Sequence, residues 1–513
     1  MTATCIMVLG TTSGAGKSWL TTALCRHYAR QGLKVVPFKA QNMSNNARVV
    51  ASKDGHGEIG SAQYFQALAA KAEPEVRMNP LLLKPEADTH SQVVLMGQVD
   101  ARLTAMPWRE RSNHVWPQIA AALDQLRAEN DVVVIEGAGS PAEINLHSSD
   151  IVNMRVALHC NAACLLVTDI DRGGAFAHLY GTWALLPPEE RALIKGFVLN
   201  KFRGDASLLA PAPQMLQDLT GIPTVATLPM WWQHGLPEED GVFDDRSISK
   251  GAVSLTVAVI AYPRISNLDE FQPLKNIPGV KLQWVRSPAE LSGLKPSDWV
   301  VLPGSKSTAA DLAWLRSQGL DAAVAQHAGQ GGVVLGVCGG LQMLGEALID
   351  AHGIDGNAPG LGLLPLVTVF EADKTVRRTQ TRFLSVWQHE APGHRPAGVA
   401  EAPDDPVTPW TSLAGVSVSG YEIHQGQTAQ HPAMAEAGDV AIEVLPGGLG
   451  WCNAQGNVLG LYLHGLFEDP AALQALFCAR LNGPVPTLEL VFERMADFVE
   501  THFEPGLLDT LVR

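Results

Sequence analysis

The chain has 513 residues, more than a single hydrophobic core usually supports, so two or more domains are expected. Hydrophobic residues make up 46% and charged residues 17% of the sequence, which is typical of a globular protein and excludes a disordered one. The formal net charge of −15 argues against nonspecific binding to nucleic acid or to acidic membranes, so neither is expected as a partner.

The cysteines and the N-terminal segment bear on the compartment. The seven cysteines are scattered and odd in number, which indicates a reduced protein rather than a disulfide scaffold. The apolar run from Cys5 to Leu9 is too short for a signal-peptide core and lacks a basic lead-in. No apolar stretch reaches membrane-spanning length, so a cytoplasmic protein is the default expectation.

The first half alternates short apolar runs with longer helix-like segments. This pattern predicts a parallel α/β sheet covered by helices on both faces. The first helix is expected from Ser18 to Gln31, stopped by Gly32. The strands are expected at residues 6–9, 33–38, 131–135, 163–168 and 194–199.

A glycine-rich loop joins the first strand to the first helix, with the sequence GTTSGAGKS at residues 10–18. Backbone N–H groups around Gly14 and Gly16 would face phosphate oxygens, Lys17 would reach the terminal phosphates, and Ser18 would ligate Mg²⁺. Five residues separate Gly10 from Gly16, one more than the strict P-loop pattern allows. The loop predicts ATP and magnesium as ligands.

Polar residues at other strand ends extend this site. Glu136 ends a buried strand and is assigned to the metal, directly or through water. Glu58 and Asp54 are weaker candidates for the same role, and a solvated loop charge explains them equally well. Asn200 and Lys201 follow the strand at 194–199 and fit a turn that recognises the base of ATP, the alternative being an ordinary polar strand end.

The α/β pattern weakens between residues 230 and 251 and then resumes. We therefore expect an ATP-binding domain at 1–235, a linker at 236–251, a second α/β domain at 252–485 and a C-terminal helical extension at 486–513. Residues 372–412 are rich in Pro, Ala and charge, and they are predicted to form an excursion or long loop from the second domain.

Cys338 lies between a buried strand and a predicted helix, with glycines at positions 336, 339 and 340 permitting a sharp turn. Such an elbow presents the sulfur at the sheet edge and places the Gly339 N–H where an oxyanion would form. Gly304 or Ser305, after the preceding strand, would supply the second N–H. His464 follows another strand and would shuttle protons for Cys338.

Both halves resemble known families. The phosphate loop resembles that of the dethiobiotin synthetase and cobyrinate-amidating group of P-loop proteins. Residues 252–475 resemble the class I glutamine amidotransferase domain, which implies a flavodoxin-like sheet. The chain has His464-Gly465-Leu466 where many members carry an acidic third residue, so a Cys–His dyad is expected. Glu468 and Glu422 are alternative partners for the histidine, and residues 420–424 would shape the glutamine pocket or serve packing.

Over nearly its whole length the chain resembles the cobyric acid synthase family. The resemblance rests on residues 38–46, 57–60, 78–80, 136–146 and 169–174. It implies a corrinoid substrate, adenosylcobyrinic acid a,c-diamide, whose b, d, e and g carboxylates are amidated with ATP and glutamine through acyl phosphates. Two alternatives stay open: an a,c-diamide synthase, and a P-loop regulatory ATPase with an inactive amidotransferase-like domain.

A polycarboxylate substrate needs local cations in a protein of net charge −15. Lys39 and Arg172 flank the predicted ligand edge and are the chosen candidates, although each is equally well explained as a surface charge. The amides at positions 42, 45 and 46 (Asn42, Asn45, Asn46) would tell amide from acid, or would cap a loop. Because ammonia is largely protonated in bulk water, we predict that the two ligand edges face one another, within one chain or across a homo-oligomer.

Overall fold

A computed structural model describes residues 2–53, 55–87, 90–232, 234–237, 252–386, 409–478 and 487–512. The chain divides into two compact units, the first comprising Met1–Asp240 with Thr487–Arg513 and the second Gly241–Pro486. Asp54 and nearly all of the expected linker, 238–251, lie outside the described residues.

The elements are numbered in chain order. The strands are β1 Thr4–Gly10, β2 Val35–Phe38, β3 Gln41–Met43, β4 Ala47–Ser52, β5 Gly55–Gly60, β6 Leu81–Ala87, β7 His90–Leu95, β8 Gln98–Val99, β9 Val132–Glu136, β10 Ala163–Asp169, β11 Ile194–Phe202, β12 Thr224–Pro229, β13 Leu255–Ile260, β14 Ile265–Ser266, β15 Val280–Val285, β16 Trp299–Leu302, β17 Gly304–Ser305, β18 Val333–Val337, β19 Ala347–Asp350, β20 Ala358–Pro359, β21 Leu366–Arg382, β22 Ser417–Gln430, β23 Ile442–Leu445, β24 Gly450–Cys452 and β25 Val458–Leu461. The helices are α1 Lys17–Arg30, α2 Ser61–Ala69, α3 Ala101–Ala105, α4 Trp108–Glu129, α5 Met154–Cys160, α6 Ala175–Leu185, α7 Pro188–Arg191, α8 Ala212–Thr220, α9 Thr308–Ser317, α10 Leu320–Gly329, α11 Gly339–Leu344, α12 Pro432–Glu436, α13 Pro470–Phe477, α14 Leu488–His502 and α15 Leu507–Thr510. Within the described ranges, no helix is both long and apolar enough to cross a bilayer.

The main sheet of the first unit contains six strands in the order β12-β11-β10-β1-β9-β2, and all neighbours are parallel. Its central strands are near-continuous apolar runs because helices cover both faces, and every residue of β9 is buried. The predicted parallel α/β sheet is therefore confirmed. Two smaller sheets, β3-β6-β7-β8 and β4-β5, carry much of the polar sequence that follows Lys39.

The C-terminal segment returns to the first unit and lies along α1, the helix that begins at Lys17. Arg26 of α1 is fully buried, and its guanidinium donates to Glu489 (2.6 Å) and Glu493 (3.0 Å) of α14. One turn later Arg30 reaches Asp497 at 2.6 Å. The C-terminal helix α14 therefore packs on α1, the helix that follows the phosphate loop.

The second unit has a seven-stranded sheet in the order β15-β13-β16-β18-β25-β24-β23. The first five strands are parallel, and the last two add antiparallel. Numbered along the chain, the parallel strands follow the flavodoxin order, which confirms the predicted fold class. In such a sheet, the carboxyl ends of β16, β18 and β25 meet at one edge.

One expectation for the second unit was wrong in part. Residues 372–382, expected in a loop, lie on the long strand β21, which pairs antiparallel with β22. The strand was missed because its distal half, from Thr375 to Arg382, has no apolar face, so its pairing depends on backbone hydrogen bonds to β22. Residues 387–408 lie outside the described ranges.

The contact between α1 and α14 gives a first prediction. Arg26→Ala removes a buried guanidinium from two glutamates that keep partial access to solvent, so the cost should be about 2 kcal/mol, below that of fully buried pairs. That cost corresponds to roughly 30-fold faster hydrogen exchange in α14, measured by mass spectrometry on the 488–502 peptide. Arg30→Ala is the matched control, because its more exposed side chain should change exchange by less than about fivefold. Equal effects of the two substitutions would contradict the role given to burial.

Candidate active sites

In the first unit, the phosphate loop spans the turn between β1 and α1. Gly14 and Gly16 adopt φ of 72° and 101°, values that favour glycine. A side chain at Gly16 is also sterically excluded, since an added Cβ would lie 2.0 Å from Asn200 Nδ2. Lys17 Nζ folds over the loop and donates to the carbonyls of Thr12 and Gly139, each at 3.1 Å. The loop therefore has the backbone and the lysine that phosphate binding requires.

Glu136 is a buried hub beside this loop. Its Oε1 accepts from Ser18 Oγ at 2.8 Å and from Lys39 Nζ at 2.8 Å. Its Oε2 accepts from Gln66 Nε2 at 2.5 Å and from Gln63 Nε2 at 3.4 Å. Burial alone would raise the pKa of Glu136, but Lys39 and these hydrogen bonds lower it below its usual value. The carboxylate is consequently held ionised beside Ser18.

Gln63 and Gln66 were not predicted. Both are completely buried on α2, and they bind the same carboxylate oxygen. Their sequence signal is an amide at two positions one turn apart in an otherwise apolar helix, a pattern that indicates a buried polar partner.

The other predicted metal ligand, Glu58, lies on β5 and forms an ion pair with Lys84 of β6, with both side chains buried. Glu136 is also paired with a lysine, but it contacts Ser18 of the phosphate loop at 2.8 Å, and this contact favours Glu136 over Glu58. In the part of the chain that the structure describes, no group of three or more His, Cys, Asp or Glu residues is arranged to hold a metal ion. A magnesium site here would resemble other nucleotide sites, with few protein ligands and the phosphates completing it.

The predicted base-recognition residues contact the phosphate loop. Asn200 Nδ2 donates to Ala15 O at 2.9 Å, and Lys201 Nζ donates to Gly14 O at 2.8 Å. Lys201 also binds Asp169 Oδ2 at 3.1 Å. Both side chains thus support the loop from β11, and base recognition by them stays a prediction.

The predicted substrate-binding residues fall into two groups. Lys39 and Asn42 are buried and joined to the Glu136 hub, since Asn42 Nδ2 donates to Gln63 Oε1 at 3.2 Å. Arg172 is different: its side chain is 67% exposed and lies beside Gly14, near Asp169 Oδ2 at 3.4 Å. A free polycarboxylate can reach Arg172 more readily than Lys39.

The two remaining asparagines have local contacts. Asn45 Nδ2 donates to Pro85 O at 3.2 Å, while the backbone N–H of the buried Asn46 donates to Ser44 Oγ at 3.0 Å. The side-chain contact of Asn45 fits the loop-capping alternative, the Asn46 contact is made by its backbone, and discrimination of amide from acid stays a prediction.

In the second unit, Cys338 forms a strained elbow between β18 and α11, with φ of 52° and ψ of −107°. The turn requires close backbone approach: an added Cβ on Gly340 would lie 1.8 Å from Leu302 O. An added Cβ on Gly336 would lie 2.6 Å from the Gly340 carbonyl carbon. Cys338 Sγ lies 3.5 Å from Ile423 O of β22. Strain of this kind is typical of a nucleophile elbow.

His464 follows β25 and is almost fully buried with Cys338. Its Nδ1 lies 3.0 Å from Glu270 Oε1, and Glu270 Oε2 accepts the Gly465 N–H at 3.0 Å. The ring of Tyr421 stacks on the imidazole with a centroid distance of 5.2 Å. With Nδ1–H donating to Glu270, Nε2 is the nitrogen left to exchange a proton with Cys338.

The structure thus supplies a carboxylate where a Cys–His dyad was expected. Glu422, one sequence candidate, instead binds Arg377, Thr379 and His424. Glu270 was missed because it lies in a 3-10 helix, Leu268–Asn276, that follows the short strand β14 and is far from His464 in sequence. Its signal was the acidic pair Asp269 and Glu270 in the connection between β13 and β15, near the edge where ligands bind.

The electrostatics of this site favour a charged imidazole. Burial by itself would lower the pKa of His464, but the negative charge of Glu270 and the interaction with Cys338 outweigh it and raise the pKa to about 10. His464 is therefore held as an imidazolium at neutral pH, beside the Cys338 sulfur.

The predicted oxyanion residues lie beside this pair. An added Cβ on Gly304 would lie 3.2 Å from His464 Cε1, and one on Gly339 would lie 2.9 Å from the Ser305 nitrogen. The backbone of Gly304 and Ser305 is thus held against both the elbow and the histidine, which is the placement that acyl transfer requires.

Both units match known families. Residues 6–235 match the CobQ/CobB/MinD/ParA nucleotide binding domain, and residues 256–472 match the CobB/CobQ-like glutamine amidotransferase domain. A solved structure described as a glutamine amidotransferase is 18% identical and covers 47% of this chain and 98% of its own, with a TM-score of 0.29, and the assignment does not depend on it. Together, fold and sites define a glutamine amidotransferase with a fused nucleotide-binding domain.

The similarity to individual proteins narrows this class to one family. The chain is 78% identical to a cobyric acid synthase of Albidiferax ferrireducens and 73% identical to one of Polaromonas naphthalenivorans, each over 100% of both chains. It is 62% identical to one of Methylibium petroleiphilum, over 99% of this chain and 96% of that protein. The chain belongs to the cobyric acid synthase family.

The contact between Glu270 and His464 gives a second prediction. Glu270→Gln removes the charge that stabilises the imidazolium, so the pKa of His464 should fall and Cys338 should lose the cationic neighbour that promotes its reaction with alkylating agents. The acid midpoint of Cys338 alkylation by iodoacetamide, followed on its peptide by mass spectrometry, should move up by about one pH unit or more. Glu422→Gln, which removes another buried carboxylate of the same unit, should leave that midpoint in place. A shift in Glu422→Gln alone would refute the assignment to Glu270.

Proposed function

We propose that this chain amidates the b, d, e and g carboxylates of adenosylcobyrinic acid a,c-diamide, using ATP and glutamine, to give adenosylcobyric acid. The observation that carries the proposal is the identity of 62–78% to cobyric acid synthases over nearly their full lengths. The two sites described above have the groups that such a reaction needs.

The ATP site would activate the acid. A carboxylate is a poor electrophile, so its oxygen attacks the γ-phosphate of ATP, the bond to the β-phosphate oxygen breaks, and an acyl phosphate and ADP form. Ammonia then attacks the acyl carbon and phosphate leaves. Lys17 would stabilise the charge on the transferred group, and the N–H groups of the loop would hold the β-phosphate.

Ser18 and Glu136 fit a magnesium ion, because a hydroxyl and an ionised carboxylate 2.8 Å apart are hard oxygen donors at the start of the phosphate loop. The ion would supply charge neutralisation for the phosphates. Lys39 binds the same Glu136 oxygen. When the ion binds, the lysine would either move away from that oxygen or share it with the ion.

The glutaminase site would deliver the ammonia. Cys338 Sγ attacks the glutamine amide carbon, and the oxyanion is held by N–H groups of Gly339 and of Gly304 or Ser305. His464 Nε2 gives its proton to the departing ammonia, leaving a thioester. Water then adds with His464 as the base, releasing glutamate and the free thiol. Glu270 keeps the imidazole oriented throughout and stabilises its protonated form before and after this exchange.

The third prediction tests the division of labour. Cys338→Ala should abolish glutamine-dependent amidation but leave ammonia-dependent amidation near the wild-type rate, because only the nitrogen source is lost. Incubation with ATP, cobyrinic acid a,c-diamide and either nitrogen donor should show successive mass decrements by mass spectrometry. Absence of amidation on this substrate would reject the proposed function, and loss of both activities in Cys338→Ala would reject the separation of sites.

The fourth prediction concerns the metal. Glu136→Gln should lower ammonia-dependent amidation by roughly 100-fold or more and raise the Mg²⁺ concentration needed for half-maximal rate, because an anionic ligand becomes neutral. The matched control is the double variant Glu58→Gln, Lys84→Met, which removes the other buried pair without leaving a lone charge. If the control changes the Mg²⁺ dependence and Glu136→Gln does not, the ligand has been misassigned.

A further inference from the structure

The short strand β17 lies against His464 and against the turn that follows Cys338 in the glutaminase site. A Cβ added at Gly304 would lie 3.2 Å from His464 Cε1, and a Cβ added at Gly339 would lie 2.9 Å from the Ser305 nitrogen. Gly304 is therefore close to the His464 ring, and Ser305 is close to the turn after Cys338. A displacement of β17 by a few tenths of an ångström would therefore alter the oxyanion geometry without touching Cys338 or His464. Something must hold it in place.

A buried carboxylate on α9, the helix that follows β17, fixes the position of this strand. Asp311 of α9 is completely buried, and its Oδ2 accepts the Ser305 hydroxyl at 2.6 Å. Its Oδ1 accepts the backbone N–H of Arg264 at 3.2 Å, just before β14, the partner strand of β17. Ser305 Oγ in turn accepts the Ser307 N–H at 3.0 Å. One carboxylate thus ties together both strands of the small β14-β17 sheet.

We propose that Asp311 is a positioning residue for glutamine hydrolysis, which fixes Gly304 and Ser305 in their oxyanion-binding conformation through the Ser305 hydroxyl. The proposal rests on the glutaminase function proposed above for Cys338 and His464. It assigns to Asp311 no contact with substrate.

Because Asp311 is titratable, its hydrogen bond with Ser305 also depends on pH. Burial raises the pKa of Asp311 to about 6, against the opposing effects of Ser305 and of the Arg264 N–H and charge, while Asp355 adds to the rise. Tyr262 also interacts with Asp311, and its pKa is raised by burial and by Asp311 among other charges, so it stays neutral.

The raised pKa of Asp311 determines how the strength of this hydrogen bond changes with pH. Above about pH 7 Asp311 is ionised and the charge-assisted bond from Ser305 is present. As the pH falls through about 6, the carboxyl takes up a proton and that bond weakens. Glutamine hydrolysis should therefore lose kcat on the acid side, apart from any loss of the Cys338 thiolate.

The test uses the full-length chain with Asp311→Asn, Ser305→Ala, the double variant of these two, and Asp355→Asn. Asp355 is the matched control because it is a second carboxylate at the same helix, where it accepts the Thr308 and Ala309 N–H groups at 2.8 and 3.0 Å. Asparagine keeps one of the two acceptor oxygens, and these contacts of Asp355 go to the start of α9 rather than to Ser305, so Asp355→Asn should stay within about twofold of wild type. The measurements are kcat and KM for glutamine between about pH 5 and 8, and the alkylation rate of Cys338 over the same range.

We expect Asp311→Asn and Ser305→Ala each to lower kcat roughly 10- to 100-fold at neutral pH, with KM changed by less than about threefold. Cys338 alkylation should be unchanged, because the thiol and His464 do not contact Asp311. The double variant should be no worse than the more affected single variant, since both act through one bond. In the wild type, kcat should fall at acid pH by more than the rate of Cys338 alkylation falls. This additional fall in kcat should be absent in Asp311→Asn.

Several results would overturn the proposal. These are a kcat for Ser305→Ala within about twofold of wild type, additive losses in the double variant, or alkylation that falls in parallel with kcat. Failure of the underlying function looks different, because Cys338→Ala would then still hydrolyse glutamine. If Cys338→Ala is inactive and Asp311→Asn is fully active, only the role of Asp311 is refuted.

Discussion

The carboxyl ends of parallel strands meet at one edge of a sheet, and in each unit the reactive side chains follow those ends. In the first unit the phosphate loop follows β1, Lys39 follows β2, and Glu136 ends β9. In the second unit Cys338 follows β18 and His464 follows β25. This constraint lets residues far apart in sequence form hydrogen bonds of about 3 Å or less, such as Ser18 to Glu136 and His464 to Glu270.

A second constraint is the cost of burying charge at those edges. Each site contains a buried carboxylate that is paired with a cation, Glu136 with Lys39 and Glu270 with His464. An unpaired charge in such a setting would cost several kcal/mol. The pairs differ in consequence, since the first keeps Glu136, the proposed metal ligand, ionised while the second keeps the His464 imidazole protonated. Pairing therefore sets the protonation state that the chemistry uses.

Much of this could be predicted from the sequence because the signals are local. Apolar runs located the central strands, and the glycines around Gly16 and Cys338 located both reactive turns, since backbone conformation and close approach there exclude side chains. Glu270, Gln63 and Gln66 were missed because their roles depend on pairing across elements, which periodicity does not encode. The C-terminal helix itself was predicted, but the contact of α14 with Arg26, which spans nearly the whole chain, was not.

The two reactive loops are each held by side chains that do not react. Asn200 and Lys201 of β11 bind carbonyls of the phosphate loop, so the loop's N–H groups are left to face phosphate. In the second unit, Asp311 accepts a hydrogen bond from the side-chain hydroxyl of Ser305 on β17. In both cases the strained or glycine-rich backbone would otherwise sample other conformations, and reorganisation during the reaction would raise the barrier. The supporting contacts therefore belong to the catalytic design as much as the reacting groups do, because they set the geometry before substrate binds.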